Sequence, residues 1–288
     1  MSAGGSCWVT VPPRSHFPVQ NLPYGVFTRA DGSPRVGTAI GEQVLDLAAL
    51  AADGLLAGPG QRAGREWFEA ASLNAFMAAG PDAWQQVRSR LTTLLTAPGH
   101  RDRVEPHLLP AHSVILRLPF EVADYVDFYA SRVHAETVGR IFRPEVPGLP
   151  PNWLHLPTGY HGRTGSVFVS GTPVTRPRGQ LLPAGSAAPV FGPTQRLDLE
   201  AEVGFVVGVP SRPGEPVPVT RFRRHVFGFV LVNDWSARDI QSFESRPLGP
   251  FLGKSFATSI SPWVIPVAAL EAARVAPPRQ DPPPLEYL

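Results

Sequence analysis

The stretch Arg196-Leu197-Asp198-Leu199-Glu200-Ala201-Glu202-Val203-Gly204-Phe205-Val206-Val207 alternates apolar and polar residues with a period of two. Successive strand side chains point to opposite faces, so Leu197, Leu199, Ala201, Val203, Phe205 and Val207 share one face, and Asp198, Glu200 and Glu202 the other. The pattern predicts a strand that aims both glutamates the same way. Side chains two apart on a strand lie only ~7 Å apart, where like charges repel unless solvent or a cation intervenes. A bound divalent ion relieves that repulsion, and an ordinary solvent-facing strand edge does so too.

Working outward, Phe227-Gly228-Phe229-Val230-Leu231-Val232 is continuously apolar and predicts a buried strand. It ends in Asn233-Asp234-Trp235-Ser236-Ala237-Arg238-Asp239-Ile240-Gln241, so Asp234 sits where a core strand surfaces. On the N-terminal side, Asp124 to His134 gathers Asp124, Tyr125, Asp127, Tyr129 and His134. If that segment is helical, Asp127 and His134 stand two turns apart on one face. Earlier still, short strands are predicted at Tyr24 to Thr28, Arg35 to Ile40 and Gln43 to Asp46, suggesting a small barrel. A helix is predicted from Pro81, burying Trp84, Val87, Leu91 and Leu94, followed by a strand at Ser113 to Leu118. A boundary near Phe120 divides the chain into residues 1–119 and 120–288.

Arginine supplies nearly every cation, and Lys254 is the one lysine. It lies in Gly249-Pro250-Phe251-Leu252-Gly253-Lys254-Ser255-Phe256, an apolar, glycine-flanked setting unlike a surface. A compact ammonium fits a small pocket that a planar guanidinium does not. The 288 residues are 43% hydrophobic with a formal charge of +2, enough for roughly two domains with a sizeable core. No basic face or nucleic-acid motif stands out. Cys7 is the only cysteine, which excludes an intrachain disulfide and fits a reducing, cytoplasmic setting. No apolar stretch is long enough to cross a bilayer. Neither a Gly-x-Ser-x-Gly elbow nor a dinucleotide or P-loop glycine pattern occurs.

Several stretches occur together in a distinctive order: Asn21-Leu22-Pro23-Tyr24-Gly25-Val26-Phe27, Asp127-Phe128-Tyr129 with His134-Ala135, Pro151-Asn152-Trp153-Leu154-His155-Leu156-Pro157 and Gly159-Tyr160-His161-Gly162-Arg163. The segments Asn233 to Gln241 and Pro247 to Phe256 complete the set. Over essentially its whole length the chain resembles the fumarylacetoacetase family. The resemblance implies an α+β, mainly β fold, with a small SH3-like N-terminal domain and a mixed β-sandwich roll as catalytic domain, assembled as a homodimer. It implies hydrolysis of the carbon-carbon bond of 4-fumarylacetoacetate to fumarate and acetoacetate, the last step of tyrosine and phenylalanine breakdown.

By the same resemblance Asp127, Glu200, Glu202 and Asp234 hold calcium or magnesium, hard ions suited to an oxygen-only shell. The family pattern also puts Lys254 and Thr258 at the metal position; an ammonium cannot ligate a cation, so such a contact runs through backbone oxygen or water. His134 is implied as the base that activates water, with the metal polarising the diketone and accepting the enolate. Arg238, Gln241 and Lys254 are implied as oxyanion donors. Tyr129, Arg143, Tyr160 and Gln241 are implied as substrate contacts. Two departures accompany the match. Ser245 stands where the family has a tyrosine, and the family pattern continues beyond Leu288, including a glutamate that orients the histidine. An inactive metal-binding protein and a related acylpyruvate hydrolase are therefore carried as alternatives.

Overall fold

In the computed structural model, residues 7–29, 32–57, 64–142, 145 and 148–288 are described. The predicted N-terminal strands are present as β1 (Tyr24–Thr28), β2 (Pro34–Ile40) and β3 (Gln43–Asp46). They pair antiparallel in sequence order, and Gly41, at a φ of 59°, makes the tight β2–β3 turn that side-chain-bearing residues resist. Helix α1 (Leu47–Ala52) starts where the buried Asp46 carboxylate accepts the Ala49 backbone N–H at 3.0 Å.

Helix α2 (Asn74–Ala78) leads into α3 (Pro81–Thr96), which begins at the proline as the sequence predicts. Val87, Leu91 and Leu94 are buried, whereas Trp84 is only partly so, because its indole N–H reaches out to the Phe76 and Met77 carbonyls at 3.1 Å. After α4 (Arg101–Val104) come β4 (Leu108–Pro110), on β3, and β5 (Ile115–Arg117), on β1.

In the second half, β6 (Val126–Phe128) is followed by α5 (Arg132–Phe142). Asp127 and His134 therefore do not share one helix, as the conditional reading had it; a turn at Tyr129 to Ser131 separates them. Next come β7 (Gly159–His161), β8 (Val167–Val169), the hairpin β9 (Arg178–Leu181) and β10 (Val190–Pro193), then β11 (Leu197–Asp198) and β12 (Ala201–Val207). Helix α6 (Phe222–His225) opens into β13 (Val226–Asp234), which is followed by β14 (Ser236–Ala237), α7 (Arg238–Glu244), α8 (Leu252–Ser255), β15 (Thr258–Ile260) and β16 (Trp263–Pro266).

Among the described residues, ten strands form one mixed sheet ordered β4-β3-β2-β1-β16-β13-β15-β8, with β5 also on β1 and β12 also on β13. Strand β16 ties the halves together by pairing with β1 and β13. Aromatic packing reinforces that junction: Tyr24 of β1 and Phe76 of α2 both meet Phe227 of β13 at 5.6 Å between ring centroids. Burying three such rings contributes several kcal/mol, on the order of 1.5–3 per side chain.

The single strand the sequence predicts is broken: β11 ends at Asp198, Leu199 and Glu200 lie outside the strands, and the alternation resumes in β12 with its Glu202 side turned inward. Glu202 and Gly204 are half-buried and Val206 is buried, while Val203 is 67% exposed and Phe205 and Val207 lie bare beside it. Likewise β13 is not buried on both sides, since Leu231 is 67% exposed on the same outer face. The inward face carries Glu202 towards Asp127 and Asp234.

Gly25 sits at the β1–β16 crossing, where an added Cβ would fall 2.6 Å from the Pro262 carbonyl oxygen and the Trp263 ring. Gly25→Ala is expected to lower the urea midpoint by an amount equivalent to about 1–3 kcal/mol, the usual cost of overpacking.

Candidate active site

Three local structures deliver the charged residues to one place. First, the β6–β7 ribbon pairs Asp127 with Tyr160, so both side chains leave one face together. Second, β12 and β13 run antiparallel with Ala201 opposite Asn233, bringing Glu202 near Asp234 at the strand end. Third, α7 and α8 supply the cations. Glu244 joins the two helices, its Oε1 accepting the Phe251 and Gly253 backbone N–H groups at 3.0 and 2.7 Å. Gly253 has to be glycine-sized, because a Cβ there would lie 2.8 Å from the Gln241 backbone nitrogen.

Lys254 is only 6% exposed, and its ammonium donates to Asp234 Oδ2 at 2.7 Å and to Glu200 Oε2. Burial alone lowers the lysine pKa, but the two carboxylates outweigh it and hold the ammonium above its usual value. The same pairing works on Glu200: burial raises its carboxyl, and Lys254 and Arg238 more than reverse this. Arg238 donates Nη2 to Glu200 Oε1 at 2.7 Å, Nε to Asp198 Oδ2 at 2.9 Å and Nη1 to Gln241 Oε1 at 3.2 Å. Arg238 and Gln241 meet because residues three apart on a helix are neighbours.

The remaining acids collect on the other side. Asp127, Glu202 and Asp234 bring one carboxylate oxygen each within 4.8 Å of one another. Asp234 is 4% exposed and its Oδ1 is buried without a hydrogen-bond partner. Burial first, then Asp127, Asp234 and Glu200, push the Glu202 carboxyl up to about 7. Asp234 is raised too, by burial that Lys254 does not fully offset. The Tyr160 hydroxyl donates to Asp234 Oδ2 at 3.3 Å, and burial with the adjacent Asp234 and Asp127 raises its pKa strongly. A buried carboxylate oxygen lacking a donor, among crowded acids, fits a hard divalent cation bound through oxygen.

His134 lies in the first turn of α5, where its backbone N–H meets the Ser131 hydroxyl at 3.3 Å. Its Nε2 is 3.7 Å from Glu200 Oε1, and the Tyr129 ring meets the imidazole edge-on at 5.5 Å. Glu136 pairs instead with Arg132 at 2.8 Å. Thr258 is buried in register with Asp234, its hydroxyl 3.3 Å from Tyr125 Oη. Ser245 folds its hydroxyl back onto the Gln241 carbonyl. Arg143 lies outside the described residues.

Asp127, Glu202 and Asp234 thus converge, while Glu200 stands beside them with its oxygens engaged by cations. Asp198 received no role from the sequence, although its place on the acid-bearing face was a readable signal. Tyr125 beside Thr258 received no role either, although it belongs to the polar gathering from Asp124 to His134.

A cluster of carboxylates that could hold a cation thus lies next to a guanidinium, an ammonium and an accessible imidazole. Residues 20–119 match the family profile described as Fumarylacetoacetase N-terminal, and residues 124–277 that described as Fumarylacetoacetate (FAA) hydrolase C-terminal. Fumarylacetoacetase of Rattus norvegicus is 49% identical over 98% of this chain and 68% of its own length. That of Bos taurus is 50% identical over the same shares, and that of Arabidopsis thaliana 45%. The chain belongs to the fumarylacetoacetase family. It is a hydrolase of that type. No helix among the described residues is long and apolar enough to cross a membrane.

The raised Glu202 carboxyl predicts a pH effect in chelated protein. Its folded pKa of about 7 exceeds the ordinary 4.5, so the fold favours the neutral form. That contribution is complete below 4.5 and fades as pH rises to about 7. Urea titrations across this window are expected to show falling stability, with a shallower slope in Glu202→Gln.

Proposed function

We propose that Asp127, Glu202 and Asp234 form the cation-binding half of the hydrolytic centre, with His134 as its base and Arg238, Gln241 and Lys254 as its oxyanion donors. The observation that carries this reading is the buried, undonated Asp234 Oδ1 amid three converging carboxylates, next to the paired Lys254. Calcium or magnesium held there supplies Lewis acidity toward the diketone oxygens. Glu200 is set to serve both halves, since it accepts from Lys254 and Arg238 and borders His134.

His134 takes a proton from water as the water oxygen bonds to one carbonyl carbon of the substrate. Negative charge develops on that carbonyl oxygen, where Arg238 and Lys254 place positive charge in a partly buried setting. The carbon-carbon bond then breaks, its electron pair leaving with acetoacetate as an enolate that is protonated afterwards. Gln241, whose Oε1 accepts from Arg238, keeps its amide N–H groups for the oxyanion or substrate. Tyr129, Tyr160 and Arg143 are the proposed contacts to the dianionic substrate, with Thr258 at the rim of the cation pocket.

The homodimer and a cytoplasmic location belong to the same reading. The bare outer strip of Val203, Phe205, Val207 and Leu231 supports an apolar contact. Sole reliance on Cys7 supports a reducing compartment.

Loss of the diketone absorbance, followed with added calcium or magnesium and again in chelator, tests the assignment. Turnover is expected only with the cation, and equal rates in chelator would remove the metal from the reaction. His134→Ala is expected to lower turnover by at least ~10²-fold, the usual contribution of a general base, with cation affinity by calorimetry unchanged.

A further inference from the structure

We infer that Asp198, which stands outside the cluster of Asp127, Glu202 and Asp234, is the positioning residue for the Arg238 guanidinium. The inference rests on the reading of Arg238 as an oxyanion donor and names what keeps it available for that task.

Both partners spring from the same short ladder. Strand β11 pairs with β14 so that Leu197 faces Ala237 and Asp198 faces Ser236, and the Arg238 backbone N–H donates to the Arg196 carbonyl at 2.9 Å. Asp239 secures this corner: its carboxylate accepts the Gln195 backbone N–H at 2.7 Å and the hydroxyl of the buried Thr194. Asp198 is thereby fixed one side of the arginine, with its Oδ2 2.9 Å from Nε.

The guanidinium is then held by three different acceptors, one per nitrogen: Asp198, Glu200 and Gln241. Guanidinium and carboxylate prefer a two-bond, fork-to-fork pairing. Without Asp198, Glu200 is the only carboxylate left on Arg238, and the fork is free to close on it with two bonds. That closure takes up the freed Nε proton beside Nη2 and draws the guanidinium onto Glu200, away from the reacting oxygen. Asp198 blocks it by holding Nε itself, which keeps the guanidinium in place with unused Nη protons for an anionic oxygen of the reacting substrate. The Asp198 side chain is half exposed, so it reaches the arginine from the solvent side without entering the cation pocket.

The test uses the full chain with 15N-labelled arginine, and compares the parent with Asp198→Ala and Asp198→Asn. The Arg238 Nε–H resonance is identified by its loss in Arg238→Lys, and its exchange with water is measured alongside kcat and KM. Exchange is expected to speed up in the order parent, Asn variant, Ala variant. In the same order kcat falls, by about 10–100-fold in the Ala variant, the scale of a misplaced group, with KM little changed. Calcium affinity by calorimetry stays at the parent value. Unchanged exchange, or faster exchange with an unchanged kcat, overturns the inference. If Asp198→Ala does not fold, the Asn variant alone decides, and parent-like exchange and kcat in it overturn the inference. Absence of turnover in the parent would instead sink the proposed function, while the resonance would still judge Asp198.

Discussion

The Lys254 ammonium, buried between Glu200 and Asp234, is the contact on which the rest of the site depends. Taking an ion out of water costs several kcal/mol, and removing one member of a buried pair costs about 3–5 kcal/mol because its partner is left uncompensated. The chain meets this cost with local construction. Gly253 lets α8 approach α7, and Glu244 ties the turn between the helices, so the lysine is held buried against the two carboxylates. Glu200 and Asp234, brought in from β12's approach and the end of β13, then have a cation to share.

That sharing divides the acids into two groups with different chemistry. Glu200 is neutralised from two sides and stays ionised, whereas Asp127, Glu202 and the free oxygen of Asp234 are left crowded and undercompensated. A crowded set of carboxylates has an incentive to take up a hard cation, and a neutralised one has an incentive to order donors around it. The placement of His134 at the border, 3.7 Å from Glu200, lets one carboxylate touch both the base and the oxyanion donors.

Much of this was legible in the sequence where local rules govern. The strands from Tyr24 to Asp46 and the proline-started helix at 81 follow from side-chain periodicity and backbone constraints and appear with nearly the predicted bounds, whereas the period-two stretch over residues 197–207 is split into β11 and β12. The oddity of one lysine among arginines pointed to a buried slot, and Lys254 is buried. What the sequence could not convey were relations across the chain. Period two says which residues share a face but not which face is inside, and here the acids turn inward while Val203 and Phe205 face out. Nor could spacing reveal that a break after Asp198 lets neighbouring acids serve different partners: Asp198 and Glu200 go to Arg238, and Glu202 goes to Asp127 and Asp234. The Asp127–His134 relation failed as a helical pair because β6 and α5 are separated by a turn, so their proximity to the site is tertiary.

In the proposed reading one divalent ion belongs among Asp127, Glu202 and Asp234, on the side of Asp234 opposite Lys254. Anomalous diffraction from crystals grown with manganese, a carboxylate-seeking stand-in for magnesium or calcium, tests it most directly. A single strong peak is expected about 2.0–2.6 Å from an oxygen of each of the three residues, in the range of hard-cation distances. A peak elsewhere on the chain, or none while the three carboxylates keep their present arrangement, would contradict it.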